Sequence, residues 1–191
     1  MHNLPNFFKM KKTTFLFALT LFTALTAVSQ SIKWVTFEEA VALQKKKPKK
    51  IMMDVYTNWC GPCKMLDKNT FQNTDVVNYV NENYYAVKFN AEGNDVVKYK
   101  GATYSNPGYK PEFANKRNSV HELTSILGVN AYPTIVFFDE KGELIFPLRG
   151  YQNPQQLELY LKMFGTDAHK SIKTQEEFNT YYSSFVPKFK N

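Results

Sequence analysis

The sequence predicts an α/β fold, a central mixed sheet flanked by helices, on three observations. Strand patterns recur along the chain, as apolar runs at 51–56 and 135–138 and as an alternating stretch at 84–91. Helix-start signals separate them, so that strands joined by helices form a parallel portion of the sheet. The turn Glu140-Lys141-Gly142 then joins the last run to 143–148 as an antiparallel partner. A chain of 191 residues, 43% hydrophobic and 16% aromatic, is long and apolar enough for one globular domain.

Each element has a local cause. Trp34 and Val35 open a short strand, and Thr36 with Glu39 forms a capping box for a helix running to about Lys46, with Val41 and Leu43 among its apolar positions. Pro48 stops it. The strand 51–56 is apolar except for Asp54, and a helix begins at Cys60 with Pro62 suited to its first turn. Asn73-Thr74-Asp75 caps a further helix of about two turns before the strand at 84–91. Residues 92–118 are too long for an ordinary connection and read as a specific insertion or a mobile loop, in which Tyr99, Tyr104 and Tyr109 offer either a partner-contact surface or packing onto the domain. Ser119 with Glu122 predicts another capping box, for a helix ending at Gly128. A last amphipathic helix covers 154–164, and the 167–191 extension carries one more possible helix at 175–184.

The N-terminal 29 residues have a different character. Lys9, Lys11 and Lys12 precede an apolar stretch at 15–28, and small residues follow at Ala27-Val28-Ser29. This layout is that of a cleavable secretory signal peptide, with cleavage near Ser29-Gln30 and a periplasmic or secreted destination. The stretch of 14 residues falls short of the roughly 20 that span a bilayer, so no stable membrane span is expected after cleavage; an uncleaved anchor is the alternative. Without the three lysines the net charge falls from +7 to +4, which gives no reason to expect a nucleic-acid partner. The cluster Lys45-Lys46-Lys47-Pro48-Lys49-Lys50 reads as a solvated helix end and turn.

The two cysteines, Cys60 and Cys63, stand three positions apart in Trp59-Cys60-Gly61-Pro62-Cys63. A disulfide between them closes so small a loop that it removes only roughly 2 kcal/mol of unfolded-chain entropy, a poor use of both cysteines as a staple. Zinc would need two further ligands, and His121 and His169 read as isolated surface residues; haem attachment would need histidine where Lys64 stands. Redox chemistry remains. A cysteine at a helix N-terminus meets unpaired N–H groups and the positive end of the helix dipole, both of which favour the reactive thiolate. Cys63, one turn further in, can resolve a mixed disulfide on Cys60. Gly61 permits close approach and Pro62 sets the first turn. No metal and no cofactor beyond the redox-active Cys60–Cys63 disulfide is expected, and no flavin or nicotinamide fingerprint is present.

The segment from Met53 through Asp54-Val55-Tyr56-Thr57-Asn58-Trp59-Cys60-Gly61-Pro62-Cys63 to Leu66 resembles the active-site strand and helix of the thioredoxin family. Ala131-Tyr132-Pro133-Thr134 resembles that family's cis-proline segment, and Gly150 lies where the family has a glycine between last strand and last helix. The resemblance spans about 33–165, within a domain at 30–166. It implies a thioredoxin fold with a long insertion before the cis-proline segment and a C-terminal extension. It further implies Cys60 as nucleophile, Cys63 as resolving thiol and Asp54 as the buried acid handling the resolving cysteine's proton. A cis Pro133 would set Tyr132 beside the disulfide, with Trp59, Gly61, Pro62, Tyr132 and Thr134 as substrate-contacting positions.

Lys68 stands where thioredoxins carry a helix-kinking proline. Asp67-Lys68-Asn69-Thr70-Phe71 followed by Asp75-Val76-Val77 instead resembles the periplasmic thioredoxin-like domain of transmembrane disulfide reductases. The implied function is reduction of protein disulfides, with a membrane or periplasmic electron donor. A disulfide oxidase or isomerase on the same fold is one alternative, and a non-catalytic thioredoxin-like protein-binding module is another.

Overall fold

The computed structural model describes residues 30–190, so the expected signal peptide lies outside the described residues. In chain order the elements are β1 (Trp34–Val35), α1 (Phe37–Lys46), β2 (Lys50–Tyr56), α2 (Gly61–Asn69), α3 (Thr74–Asn83) and β3 (Tyr84–Asn90). The insertion holds β4 (Val97–Tyr99) and β5 (Ala102–Tyr104). Then follow α4 (Glu122–Ile126), β6 (Thr134–Phe138), β7 (Leu144–Arg149), α5 (Pro154–Gly165) and α6 (Gln175–Ser184).

The main sheet has the order β1-β3-β2-β6-β7. The first three strands are parallel; β6 runs antiparallel to β2, and β7 antiparallel to β6. This is the mixed sheet with a closing hairpin that the sequence predicts. Strand β2 is central, and its side chains alternate between two cores. Ile51, Met53 and Val55 enter the core with Phe37, Val87, Phe89 and Leu123. Met52 enters the opposite one with Leu66, Val77, Phe137 and Leu161. Burial of each such side chain contributes about 2 kcal/mol, which is what holds helices to both faces. By the same alternation Asp54 points, like Met52, toward the face covered by α2.

Local signals and structure agree at most starts. Thr36 and Glu39 form the reciprocal capping box of α1, and Asn73 caps α3 through the N–H groups of Asp75 and Val76. On α1 the fully buried face is Phe37, Ala40 and Gln44, while Val41 and Leu43 are only half-buried. Gln44 is buried because its amide donates to the carbonyls of Lys49 (2.7 Å) and Asp139 (2.8 Å).

Three expectations need correction. His121, not Ser119, caps α4: its Nδ1 accepts from Leu123 N–H (3.1 Å), and the residue is fully buried, not on the surface. Ser119 is engaged elsewhere, its hydroxyl donating to Asn106 Oδ1 at 2.6 Å. Within the insertion lies the β4–β5 hairpin, and of the two readings open for its tyrosines the structure takes packing for Tyr99 and Tyr104, which lie on the core. Lys50, at the end of the basic cluster, is 4% exposed and paired with Glu140 and with Asp167 (2.8 Å), because β2 carries it inside.

The extension folds back onto the domain. Ile172, Phe178, Tyr181 and Phe189 pack against the core under α3 and α5. Its end is fastened by the N–H groups of Lys188 and Phe189, which donate to Glu158 Oε2 (2.7 and 2.8 Å), and by Lys190 N–H to Asp75 Oδ2 (2.8 Å).

Candidate redox site

Strand β2 ends at Tyr56, and the turn that follows, closed by Cys60 N–H to Thr57 O (3.2 Å), delivers Cys60 to the start of α2. Cys60 is the N-cap, in extended conformation, and its Sγ accepts from Cys63 N–H at 3.1 Å. The helix thus aims an otherwise unpaired backbone donor at the Cys60 sulfur. Cys60 and Cys63 are joined as a disulfide, and their exposures are nearly equal, 3% and 2%. Gly61 and Pro62 are exposed beside the bond, and Trp59 is half-buried. With lysine at position 68, α2 continues to Asn69.

Asp54 is 1% exposed, and its Oδ1 has no hydrogen-bond partner among the described residues. Burial pushes its pKa up to about 7 despite the Lys88 ammonium 3.3 Å from Oδ2; nearby Asp67 adds to the rise. Lys88 reaches Asp54 because the two are register partners on adjacent parallel strands. It also pairs with Asp67, one helical turn beyond Cys63 on α2. Burial pulls the Lys88 pKa down, but the two carboxylates outweigh it and leave it raised. The ammonium lies over the rings of Tyr56 (4.9 Å) and Trp34 (5.3 Å). Asp54 is in this way tied to the helix face that carries Cys63.

The second arm of the site comes from β6. Val55 pairs with Thr134 across β2 and β6, which brings the preceding segment beside the turn that leads to Cys60. The Tyr132-Pro133 peptide bond is cis. Pro133 O accepts from Gly150 N–H (2.8 Å), and Gly150 sits at φ +86°, a conformation that favours glycine. Tyr132 stands edge-on to Trp59, with ring centres 6.1 Å apart. Thr134 is fully buried and its hydroxyl donates to Ala131 O at 2.8 Å, so it shapes the segment from within.

These pieces match a known frame. A family model for a thioredoxin-like domain covers residues 37–165. The chain belongs to the thioredoxin-like family. It is similar to the thiol:disulfide interchange protein DsbD of Pectobacterium atrosepticum, with 28% identity over 62% of this chain and 17% of that protein. It is also similar to DsbD of Citrobacter koseri, with 31% identity over 63% of this chain and 17% of the relative. The matched part thus spans about one sixth of these curated relatives. Among solved structures, a thioredoxin-fold protein from Helicobacter pylori superposes with a TM-score of 0.54 at 19% identity, covering 76% of this chain and 94% of that one, and supports the fold.

Three residues of this thioredoxin-like site were not singled out from the sequence. Lys88 has a local signal, a lone charge at the position where β3 otherwise points Tyr84 and Ala86 into the core. Glu92 and Arg117 have none, since the insertion brings them in from outside the motif. Glu92 is 8% exposed, and its Oε2 accepts from Trp59 Nε1–H (2.7 Å) and Asn118 N–H (2.8 Å). The Arg117 guanidinium lies 4.7 Å from the centre of the Trp59 ring. Asn58, two residues before Cys60, donates to Ala114 O at 2.7 Å. The insertion therefore buttresses the redox turn directly.

Proposed function

We propose that this protein is an exported thiol–disulfide oxidoreductase that reduces disulfides of partner proteins through Cys60 and Cys63. The observation that carries the reading is the Cys60–Cys63 disulfide at the N-terminus of α2, coupled through Asp67 and Lys88 to an under-solvated Asp54. In the reduced form, Cys63 N–H and the helix dipole favour the Cys60 thiolate. That thiolate attacks one sulfur of a partner disulfide; the partner S–S bond breaks, and one partner sulfur leaves as thiolate. Cys63 then loses its proton and attacks Cys60 Sγ. The Cys60–Cys63 bond forms, the mixed disulfide breaks, and the second partner sulfur is released. Two electrons pass to the partner, one proton comes from Cys63 and the other from solvent, and an external dithiol donor at the membrane or in the periplasm must restore the reduced pair.

Asp54, with a pKa of about 7, can accept the Cys63 proton near neutral pH. Tyr132 and the cis Pro133 present backbone next to the sulfurs, where an extended partner segment can lie. The Gly61-Pro62 pair resembles the reducing members of the family and sets the preferred direction. The charged, apolar-cored leader at 1–29 supports export.

Insulin reduction with dithiothreitol as electron source tests the reading. Cys60→Ser is expected to abolish the catalysed rate, whereas an undiminished rate would remove the catalytic role. Cys63→Ser is expected to accumulate mixed disulfides with periplasmic proteins. Failure to trap any would favour a binding module.

A further inference from the structure

Beside the redox turn lies an open groove of about 530 Å³, lined by Trp59, Arg117, Val120, Ser125, Asn130 and Tyr132. Resting on the oxidoreductase reading above, we infer that Arg117 makes this groove select partner polypeptides that carry a carboxylate side chain close to the cysteine to be reduced.

Arg117 belongs to the insertion, is exposed, and takes part in no ion pair among the described residues. Its guanidinium lies over the Trp59 ring, 4.7 Å from the ring centre, a cation–π contact that restrains the side chain while its N–H donors remain open to a ligand. A planar fork held in advance loses less entropy when a carboxylate docks, and it can bind both oxygens. The acid already lining the groove does not meet that demand. Glu92 is buried, and its Oε2 is occupied by the indole and by Asn118 N–H. The rest of the lining is neutral: Val120, Ser125, Val129, Asn130, Ala131 and Tyr132. Trp59 immediately precedes Cys60, so a partner held at Arg117 presents its neighbouring sulfur at the nucleophile. The groove also runs along the Ala131-Tyr132 backbone, where an extended segment would lie. A basic segment would meet the guanidinium as a like charge.

The test compares two disulfide-bonded peptides, identical except for glutamates or lysines beside one cysteine, in single-turnover reduction by the reduced full-length protein at low salt. The acidic peptide is expected to react roughly threefold to tenfold faster than the basic one, with the ratio shrinking at high salt. In Arg117→Ala the ratio falls toward one, and in Arg117→Glu it inverts. Arg117→Lys, which keeps the charge without the planar fork, retains part of it. A wild-type ratio near one, or a ratio unmoved in Arg117→Ala and Arg117→Glu, overturns the inference. Uncharged hydroxyethyl disulfide separates this failure from a larger one. If the protein reduces it but shows no charge preference, only the selectivity falls. If neither it nor either peptide is reduced, the oxidoreductase reading falls and the inference with it.

Discussion

Asp54 and Glu158 are both almost wholly buried, at 1% and 0% exposure, yet their surroundings differ in kind. Glu158 is saturated: Oε1 pairs with Lys162 at 2.5 Å, and Oε2 accepts the N–H groups of Lys188 and Phe189. Asp54 faces one ammonium at 3.3 Å through Oδ2, and its Oδ1 is bare. Desolvation therefore dominates at Asp54, which is pushed into the range where a proton can be exchanged at neutral pH. At Glu158 both oxygens are bonded, and the carboxylate serves as an anchor for the extension. A buried acid beside a redox centre has value while under-solvated; one beneath a folded-back tail has value when fully bonded.

Substitutions should separate the two acids by sign as well as size. With a folded pKa near 7 against 3.8 for the free carboxyl, Asp54 holds in the native state a proton that the unfolded chain has released. Its contribution to stability is complete below about pH 4 and is lost as pH rises through 7. Asp54→Asn should therefore stabilise the oxidised protein at pH 8 by on the order of 2–4 kcal/mol, with the difference vanishing near pH 4. Urea denaturation across that range measures it, and a destabilised variant at pH 8 would break the comparison. The same variant should slow release of partner thiols and remove an inflection near pH 7 from that rate.

Glu158→Ala should move the other way, losing about 2 kcal/mol because the ion pair with Lys162 is lost and the partly buried N–H groups of Lys188 and Phe189 are left without their acceptor. Hydrogen exchange should show the loss first at residues 186–190, while insulin reduction per folded molecule stays unchanged. His121→Ala tests a buried ring with both nitrogens hydrogen-bonded. Its ring joins Leu123 N–H to Asp95 O (2.8 Å) and packs against Phe89, so loss of about 1–2 kcal/mol and loosening of the insertion are expected. Ser119→Ala should cost least, about 0.5–1 kcal/mol, read as a small fall in melting temperature, because its hydroxyl serves Asn106 and not the helix start.

What could be read in advance follows the range of the interactions. The apolar run of β2, the alternation of β3, the capping box at Thr36 and Glu39, and the Cys60-Gly61-Pro62-Cys63 turn are local, so neighbouring residues announce them. The cis Pro133 was legible only through family resemblance. His121 and Ser119 were misjudged because two side chains compete for one helix start, and the winner is set by Asn106, which no local rule connects to Ser119. Lys50 was misjudged because Glu140 and Asp167, which allow its burial, lie about 90 and 117 positions away. Lys88, Glu92 and Arg117 reach the redox turn through sheet register and the fold of the insertion, and spacing along the chain carries neither.

The central claim, that Cys60 and Cys63 form a reducing dithiol, is tested most directly by the reduction potential of the protein. Equilibration in graded glutathione or dithiothreitol buffers, followed by acid quench, thiol alkylation and mass analysis, counts free thiols at each potential. The account predicts one reversible two-electron transition near the value of about −270 mV found for thioredoxin. A transition near about −120 mV would make the protein an oxidant, and a disulfide that never opens would contradict redox function altogether.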